Sequence, residues 1–249
     1  MNAHSTLLCV ELPLTPRSDT DVRAPAQTAS RVPLWLKIDY TAFVAALVTV
    51  YCHYYGPTIL LYFCNIALLL ALLAIWSENA LLISMCAVGM VIPQAIWVID
   101  FVSVAIGFPL AGMTSYMFDA SGSLLFRMLS LFHGWQPFLL IYLVRSTGYD
   151  RRGFWSWTVL SWGVLLICFF VMPPPTPNPG LTPVNINYVW GLSYTAAQTW
   201  MSPTVWLVGL LVGLPLFVFA PAHFLMTRFM PKAYWCMVPY ADYDQGSQV

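Results

Sequence analysis

The chain has 249 residues, of which 59% are hydrophobic and 8% are charged, and its formal net charge is zero. A soluble domain carries about 25% charged residues because it needs a polar surface, so this composition excludes an ordinary water-soluble fold and indicates a lipid environment. The balanced charge also gives no reason to expect a nucleic acid partner.

Hydrophobic runs predict an all-α, polytopic membrane protein built as a six-helix transmembrane bundle. A polar tail, 1–32, precedes the membrane domain, 33–230, and a second tail, 231–249, follows it. The predicted spans are about 34–52, 59–76, 81–102, 124–144, 154–171 and 205–226. Pro93 in the third run, and Pro215 and Pro221 in the sixth, are predicted kink sites because proline removes a helical hydrogen bond.

The Lys and Arg residues predict the orientation of these spans. All of them except Arg127 fall in segments that the six runs place on one side of the membrane. Because Lys and Arg accumulate on the cytoplasmic side, both termini are predicted to be cytoplasmic. Such a chain is predicted to lie in a bacterial inner membrane.

Two longer connections, 103–122 and 172–202, fall on the outer side. The first combines apolar residues with four helix-breaking Gly and Pro residues, which favours an interfacial or re-entrant segment. The second begins with a proline run, and long loops without clear structure are usually functional or disordered. Its Asn185, Asn187 and Trp190 lie in an aromatic-rich stretch, which predicts an ordered outer cap.

Unusual polar residues of the spans gather in the outer half of the predicted bundle. From the rise of an α-helix, Cys64 and Asn65 are expected about 8–10 Å below the outer boundary and His133 about 12–14 Å below it. Gln94 and Asp100 lie on the third span in the same half. Ionisable residues inside a membrane mark functional sites by default, so this clustering predicts an outward-facing polar cavity.

A Cys–His pair in such a cavity has a chemical meaning. Imidazole within hydrogen-bond reach can take the thiol proton, which makes Cys64 the candidate nucleophile and His133 the candidate base. Asn65 and Gln94 are candidates for orienting the imidazole or for stabilising an oxyanion. Asp100 and Arg127 are expected to pair, since an unpaired charge at that depth is costly. A packed small residue, a helix-bridging histidine and a structural ion pair are the alternative interpretations.

The segments Gly56-Pro-Thr-Ile-Leu-Leu-Tyr-Phe-Cys-Asn-Ile-Ala67 and Phe132-His-Gly-Trp-Gln-Pro-Phe138 resemble six-span proteins of the transmembrane-protein-164-like group. That group is similar to the androgen-induced integral membrane hydrolases. The resemblance implies a nucleophile in an early span and a histidine in a later span, acting on lipid acyl groups. It places these roles on Cys64 and His133. The whole chain also resembles bacterial multipass proteins without an assigned function.

Three functions follow as hypotheses. The first is a lipid acyltransferase or hydrolase whose partners are membrane lipids. The second is a carrier or a non-enzymatic subunit with a protein partner inside the membrane. The third is a haem-binding bundle with His53 and His133 as ligands. The six Cys show no metal-ligand spacing, so no metal site is predicted from them, and outside the haem hypothesis no cofactor is predicted.

Overall fold

The computed structural model describes residues 30–120, 123–178 and 180–233, so most of both predicted tails, 1–32 and 231–249, lies outside it. The described residues form helices and loops without a β-strand, which confirms the all-α prediction. The helices are α1 Leu34–Tyr55, α2 Phe63–Ser77, α3 Ala80–Ala105, α4 Leu124–Ser130, α5 Phe132–Thr147, α6 Arg152–Phe170, α7 Pro203–Leu214 and α8 Ala220–Phe229.

Among the described residues, five segments are long and apolar enough to cross a membrane, so the chain is an integral membrane protein. They are Leu34–Tyr55, Ala80–Ala105, Leu124–Thr147, Arg152–Phe170 and Pro203–Phe229. The predicted span 59–76 differs, because α2 has only 15 residues and follows a separate 3₁₀ turn, Pro57–Leu61. Gly56, with φ +80°, ends α1 just before that turn. A helix of this length rises about 22 Å, less than a hydrocarbon core of about 30 Å.

The proline positions behave differently from one another. Helix α3 continues through Pro93. The last span changes at Pro215–Phe219 into a π-helical turn, which links α7 to α8. A π-turn accommodates the missing proline hydrogen bond by widening the helix locally. The predicted kink site at Pro215 therefore coincides with a real irregularity.

The helix ends lie at two opposite ends of the bundle. At the first, Lys37 of α1 pairs with Glu78 of the α2–α3 turn at 2.8 Å, and Arg31 donates to the carbonyl of Thr147. Asn79 caps α3 by accepting from the backbone N–H groups of residues 81 and 82. We call this set the basic end. The opposite set, the loop end, carries the described segments 106–120, 171–178 and 180–202.

Helix α3 is the centre of the bundle and packs on α2, α5, α6 and α8. Its buried face includes the small residues Ser84, Ala87 and Gly89. In lipid, helices associate by close packing rather than by the hydrophobic effect, so small residues that permit close approach are important. A β-carbon at Gly89 would overlap the indole ring of Trp157, which is fully buried on α6.

We expect Gly89→Ala to separate α3 from α6. Overpacking of this kind costs about 1–3 kcal/mol of unfolding free energy. Thermal unfolding in detergent should therefore shift to a lower temperature. The matched control is Gly209→Ala in α7, where an added β-carbon meets nothing within 4 Å. Equal midpoints for the two variants would contradict this account of the α3–α6 contact.

Candidate functional site

Asp100, near the loop end of α3, is buried and holds the segment that follows the helix. Its Oδ1 accepts from the backbone N–H groups of Ala111 at 2.8 Å and Gly112 at 3.0 Å. Its Oδ2 accepts from both the backbone N–H and the hydroxyl of Thr114, each at 2.8 Å. One carboxylate thus satisfies four donors of a loop that would otherwise present unpaired backbone groups at this depth.

Arg127 of α4 holds the same loop from its other side. Its guanidinium donates to the carbonyl of Met117 at 3.2 Å. The expected Asp100–Arg127 ion pair is therefore not formed. The carboxylate is instead satisfied by backbone and hydroxyl groups of its own loop, 11 to 14 residues further along the chain. The two charged residues flank the 3₁₀ turn Ser115–Met117.

Tyr116 lies in that turn, and the clamped loop directs it inward. Its hydroxyl lies within interaction range of the side chains of Ser130 and Trp97 and of the Cys64 thiol. Burial raises the pKa of Tyr116 to about 12, so the hydroxyl stays protonated at neutral pH and remains a donor. Tyr116 was not predicted as a site residue, because its position depends on the path of an irregular loop.

Cys64 lies in the first turn of α2 at the loop end and is half-buried. Hydroxyl groups of four tyrosines lie within electrostatic range of its sulfur: Tyr51, Tyr62, Tyr116 and Tyr188. These residues come from α1, the turn before α2 and both long loops. Neutral hydroxyl donors can solvate a developing thiolate without carrying a charge themselves.

His133 is oriented by the break between α4 and α5. The backbone N–H of Gly134 bonds to the carbonyl of Leu131, one residue short of the usual helical acceptor. The Ser130 carbonyl is thereby available to His133 Nδ1 at 2.8 Å. A carbonyl can only accept, so Nδ1 carries the proton and Nε2 is the acceptor nitrogen of the neutral ring. The ring also stacks on Trp97, with centroids 5.0 Å apart.

Cys64 and His133 are not hydrogen-bonded to each other in the described part of the chain, but the same groups connect them. Ser130 bonds through its hydroxyl to Tyr51 at 3.1 Å and through its carbonyl to His133. Tyr116 reaches both Ser130 and Cys64. We call Tyr51, Cys64, Trp97, Tyr116, Ser130 and His133 the outer polar cluster. Cys64 and His133 are both half-buried residues.

The two amide candidates have other partners. Asn65 donates to the carbonyl of Ile59 at 2.8 Å, which ties the 3₁₀ turn to α2. Gln94 donates to Gln136 of α5 at 2.6 Å, and both side chains are fully buried. The Oε1 of Gln94 and the Nε2 of Gln136 have no partner. This amide pair lies one helical turn from Trp97 and His133 along each helix. Gln136 is not among the predicted site residues, although it follows His133 at helical spacing.

The outer cap is ordered by two buried asparagines in left-handed conformations. Asn185 accepts from the backbone N–H of Trp190 and donates to the carbonyls of Gly191 and Ser193. Asn187 accepts from the backbone N–H of Phe63 and donates to the carbonyl of Leu61 and the sulfur of Cys168. Asn187 therefore caps α2 from a distant loop, next to Cys64.

Trp190 completes this cap by stacking on Phe169 of α6. The two ring centroids are 4.4 Å apart, and the ring planes differ by 13°. The described parts of this loop, 171–178 and 180–202, thus follow a defined path across the loop end. Its Tyr188 brings a hydroxyl to the Cys64 environment, bonded at 2.7 Å to the hydroxyl of Tyr194.

The two histidines of the haem hypothesis lie in different surroundings. His53 is exposed at the loop end of α1 and contacts Tyr54, whereas His133 stacks on Trp97 and Phe132. Within 30–120, 123–178 and 180–233, no group of three or more His, Cys, Asp or Glu residues has the arrangement of a metal site. Comparison of the chain with models of protein families, with curated proteins and with solved structures finds no match in any of the three.

Proposed function

We propose that the chain spans a bacterial inner membrane six times, with both termini in the cytoplasm. Five crossings are the long apolar segments. The additional crossing, second along the chain, is α2 together with the turn Pro57–Leu61, which extends this short helix toward the loop end. The orientation follows from Lys37, Arg145, Arg151 and the other basic residues at the basic end. The loop end, with the outer polar cluster, then faces away from the cytoplasm.

We further propose that the outer polar cluster transfers or hydrolyses an acyl group of a membrane lipid. The observation that supports this most is the orientation of His133, whose Nδ1 is fixed on the Ser130 carbonyl and whose Nε2 is left to accept a proton. This is the tautomer that a general base needs. Cys64 is the one thiol that shares its cluster, and the depth of both residues suits a lipid ester. The resemblance to the lipid-acyl hydrolases implies the same two roles.

The reaction proceeds in two steps. Cys64 sulfur bonds to the ester carbonyl carbon, its proton passes to His133 Nε2 through the Tyr116 hydroxyl or a water molecule, and the carbon–oxygen ester bond breaks. The imidazolium returns that proton to the departing alkoxide. Water or a second lipid hydroxyl then attacks the thioester, gives its proton to His133, and releases the acyl group and the thiol. Tyr116 and Tyr51, whose hydroxyl groups lie within electrostatic range of Cys64, are the candidate donors for the oxyanion.

The test uses the full chain reconstituted in vesicles of mixed phospholipids, with released fatty acid and lysolipid measured by mass spectrometry. Cys64→Ala should lower turnover by about 10³-fold or more, and His133→Gln by about 10²–10⁴-fold. The control is Cys52→Ala, which removes another half-buried thiol near the loop end of α1. Full turnover in Cys64→Ala would refute the assignment of the nucleophile.

A second candidate is a subunit of a membrane complex. The observation that favours it is the last span, of which only 17% is buried, against 56% of α3, so most of its surface is open to lipid or to a partner. On this hypothesis the wild-type chain releases no fatty acid in the vesicle assay and co-purifies with another membrane protein. Cys64→Ala would leave that association unchanged.

A further inference from the structure

A small pocket at the basic end brings together two segments that are distant in sequence. The backbone N–H of Tyr149 donates to the carbonyl of Pro231 at 2.6 Å, and that of Ala233 donates to the carbonyl of Tyr149 at 3.1 Å. Gly148 permits this pairing, because its φ is +87° and a β-carbon there would overlap the backbone of Ala233. The pairing holds residues 149–151 beside residues 232 and 233.

The cavity between these segments has a volume of 250 Å³ and is lined by Tyr149, Asp150, Arg151, Lys232 and Ala233. A water molecule occupies about 30 Å³ of liquid, so the space suits a polar group much larger than one water. The Tyr149 hydroxyl is bonded to His223 of α8 at 2.7 Å, which fixes one wall of the pocket to the last span.

The charge of the lining is positive. Asp150 is buried, and Arg152 neutralises it through a contact of 2.8 Å and further hydrogen bonds from the same guanidinium. Arg151 and Lys232 are exposed, and neither has an ion-pair partner among the described residues. Two cationic groups from separate segments thus face one cavity.

The pocket lies beside the ends of two candidate membrane spans, Arg152–Phe170 and Pro203–Phe229. Trp155, in the first turn of α6, is 65% exposed, and Phe229, at the end of α8, is 70% exposed. Exposed aromatic residues at the ends of membrane helices mark the interface between hydrocarbon and water. The pocket lies between these two helix ends, where phospholipid phosphates are found.

We propose that this pocket binds a phosphate group, supplied at this depth by an anionic phospholipid, with Arg151 and Lys232 as its cationic ligands. Basic pockets between membrane helices on the cytoplasmic side are typical of such recognition. The proposal is independent of the acyl chemistry at the loop end. It gives the connection between α5 and α6, residues 148–151, a role beyond orientation of the chain in the membrane.

The experiment measures lipid retained on the purified full-length protein by native mass spectrometry, with phosphatidylglycerol and phosphatidylcholine added in turn. Phosphatidylglycerol should be retained preferentially. Arg151→Gln and Lys232→Gln should each lower its apparent affinity by about fivefold. The controls are Arg145→Gln and Arg228→Gln, which remove basic side chains at the same end that do not line the pocket. Circular dichroism establishes that every variant is folded.

Thermal unfolding in detergent separates the two sources of phosphate. Stabilisation by phosphatidylglycerol, absent with inorganic phosphate and dependent on Arg151 and Lys232, supports the lipid. Equal stabilisation by inorganic phosphate supports the same site with a soluble ligand. If the Arg145 and Arg228 variants lost as much affinity for phosphatidylglycerol as the Arg151 and Lys232 variants, the lipid would bind a diffuse basic surface, and this would overturn the proposal. So would equal retention of the two lipids.

Discussion

Asp100→Asn should be among the most damaging single substitutions in this protein. The amide can still accept from Ala111 and Gly112 through its oxygen, but its NH₂ group would face the N–H and hydroxyl of Thr114, which now donate to Oδ2. Losing two charge-assisted hydrogen bonds and leaving buried donors unsatisfied costs about 3–5 kcal/mol of unfolding free energy. Thermal unfolding in detergent measures this loss.

The same substitution should disturb the outer polar cluster. Release of the 111–114 segment frees the turn that carries Tyr116, so reagents should reach Cys64 faster and proteolysis near Tyr116 should increase. Asp39→Asn is the control, because Asp39 is an exposed carboxylate on α1. It should change stability by less than about 0.5 kcal/mol. An Asp100→Asn protein with unchanged unfolding and unchanged Cys64 labelling would contradict the proposed clamp.

The contrast between Asp100 and its predicted partner shows what depth along a helix can reveal. The rise per residue correctly indicates that Asp100 and Arg127 lie near the same end of the bundle. The rise per residue carries no information on the 106–118 loop. Backbone N–H groups of that loop, and not the guanidinium of Arg127, bind the Asp100 carboxylate. Helical spans follow from a periodic and apolar sequence, whereas the partner of a charge depends on a loop path that has no period.

The Cys64–His133 hypothesis illustrates the same limit. Their common location at the loop end agrees with the depth calculation, and the cluster joins them through Ser130 and Tyr116. The orientation of the imidazole depends on the break after α4. This break could not be predicted from the sequence, because the residue at the break, Leu131, favours an uninterrupted helix. Asn65 was predicted as a site residue because it follows the candidate nucleophile. Its side chain instead donates to the carbonyl of Ile59 and so stabilises the turn before α2.

Asn187→Ala is the second substitution for which we expect a large loss of stability. Asn187 holds the backbone on both sides of Tyr62, and its own φ is +56°. Alanine removes these hydrogen bonds and tolerates the left-handed conformation less well than asparagine does. Two unsatisfied backbone groups and the conformational strain together cost about 3–5 kcal/mol.

Asn187→Gly separates the two contributions. Glycine loses the same hydrogen bonds but adopts positive φ without strain, so it should be more stable than alanine at this position by about 1 kcal/mol. Asn178→Ala, at an exposed asparagine of the same loop, should leave unfolding unchanged. If alanine and glycine at 187 both behave like the Asn178 variant, the loop does not cap α2.

A functional consequence follows from where that cap lies. Phe63, whose backbone N–H is held by Asn187, directly precedes Cys64, and Tyr188 adds its hydroxyl to the thiol's surroundings. Loss of the cap frees the first turn of α2, so the rate of lipid turnover should fall in proportion to the loss of stability, with Gly less affected than Ala. Turnover that is unchanged while stability falls would show that the Cys64 turn keeps its geometry without the outer loop.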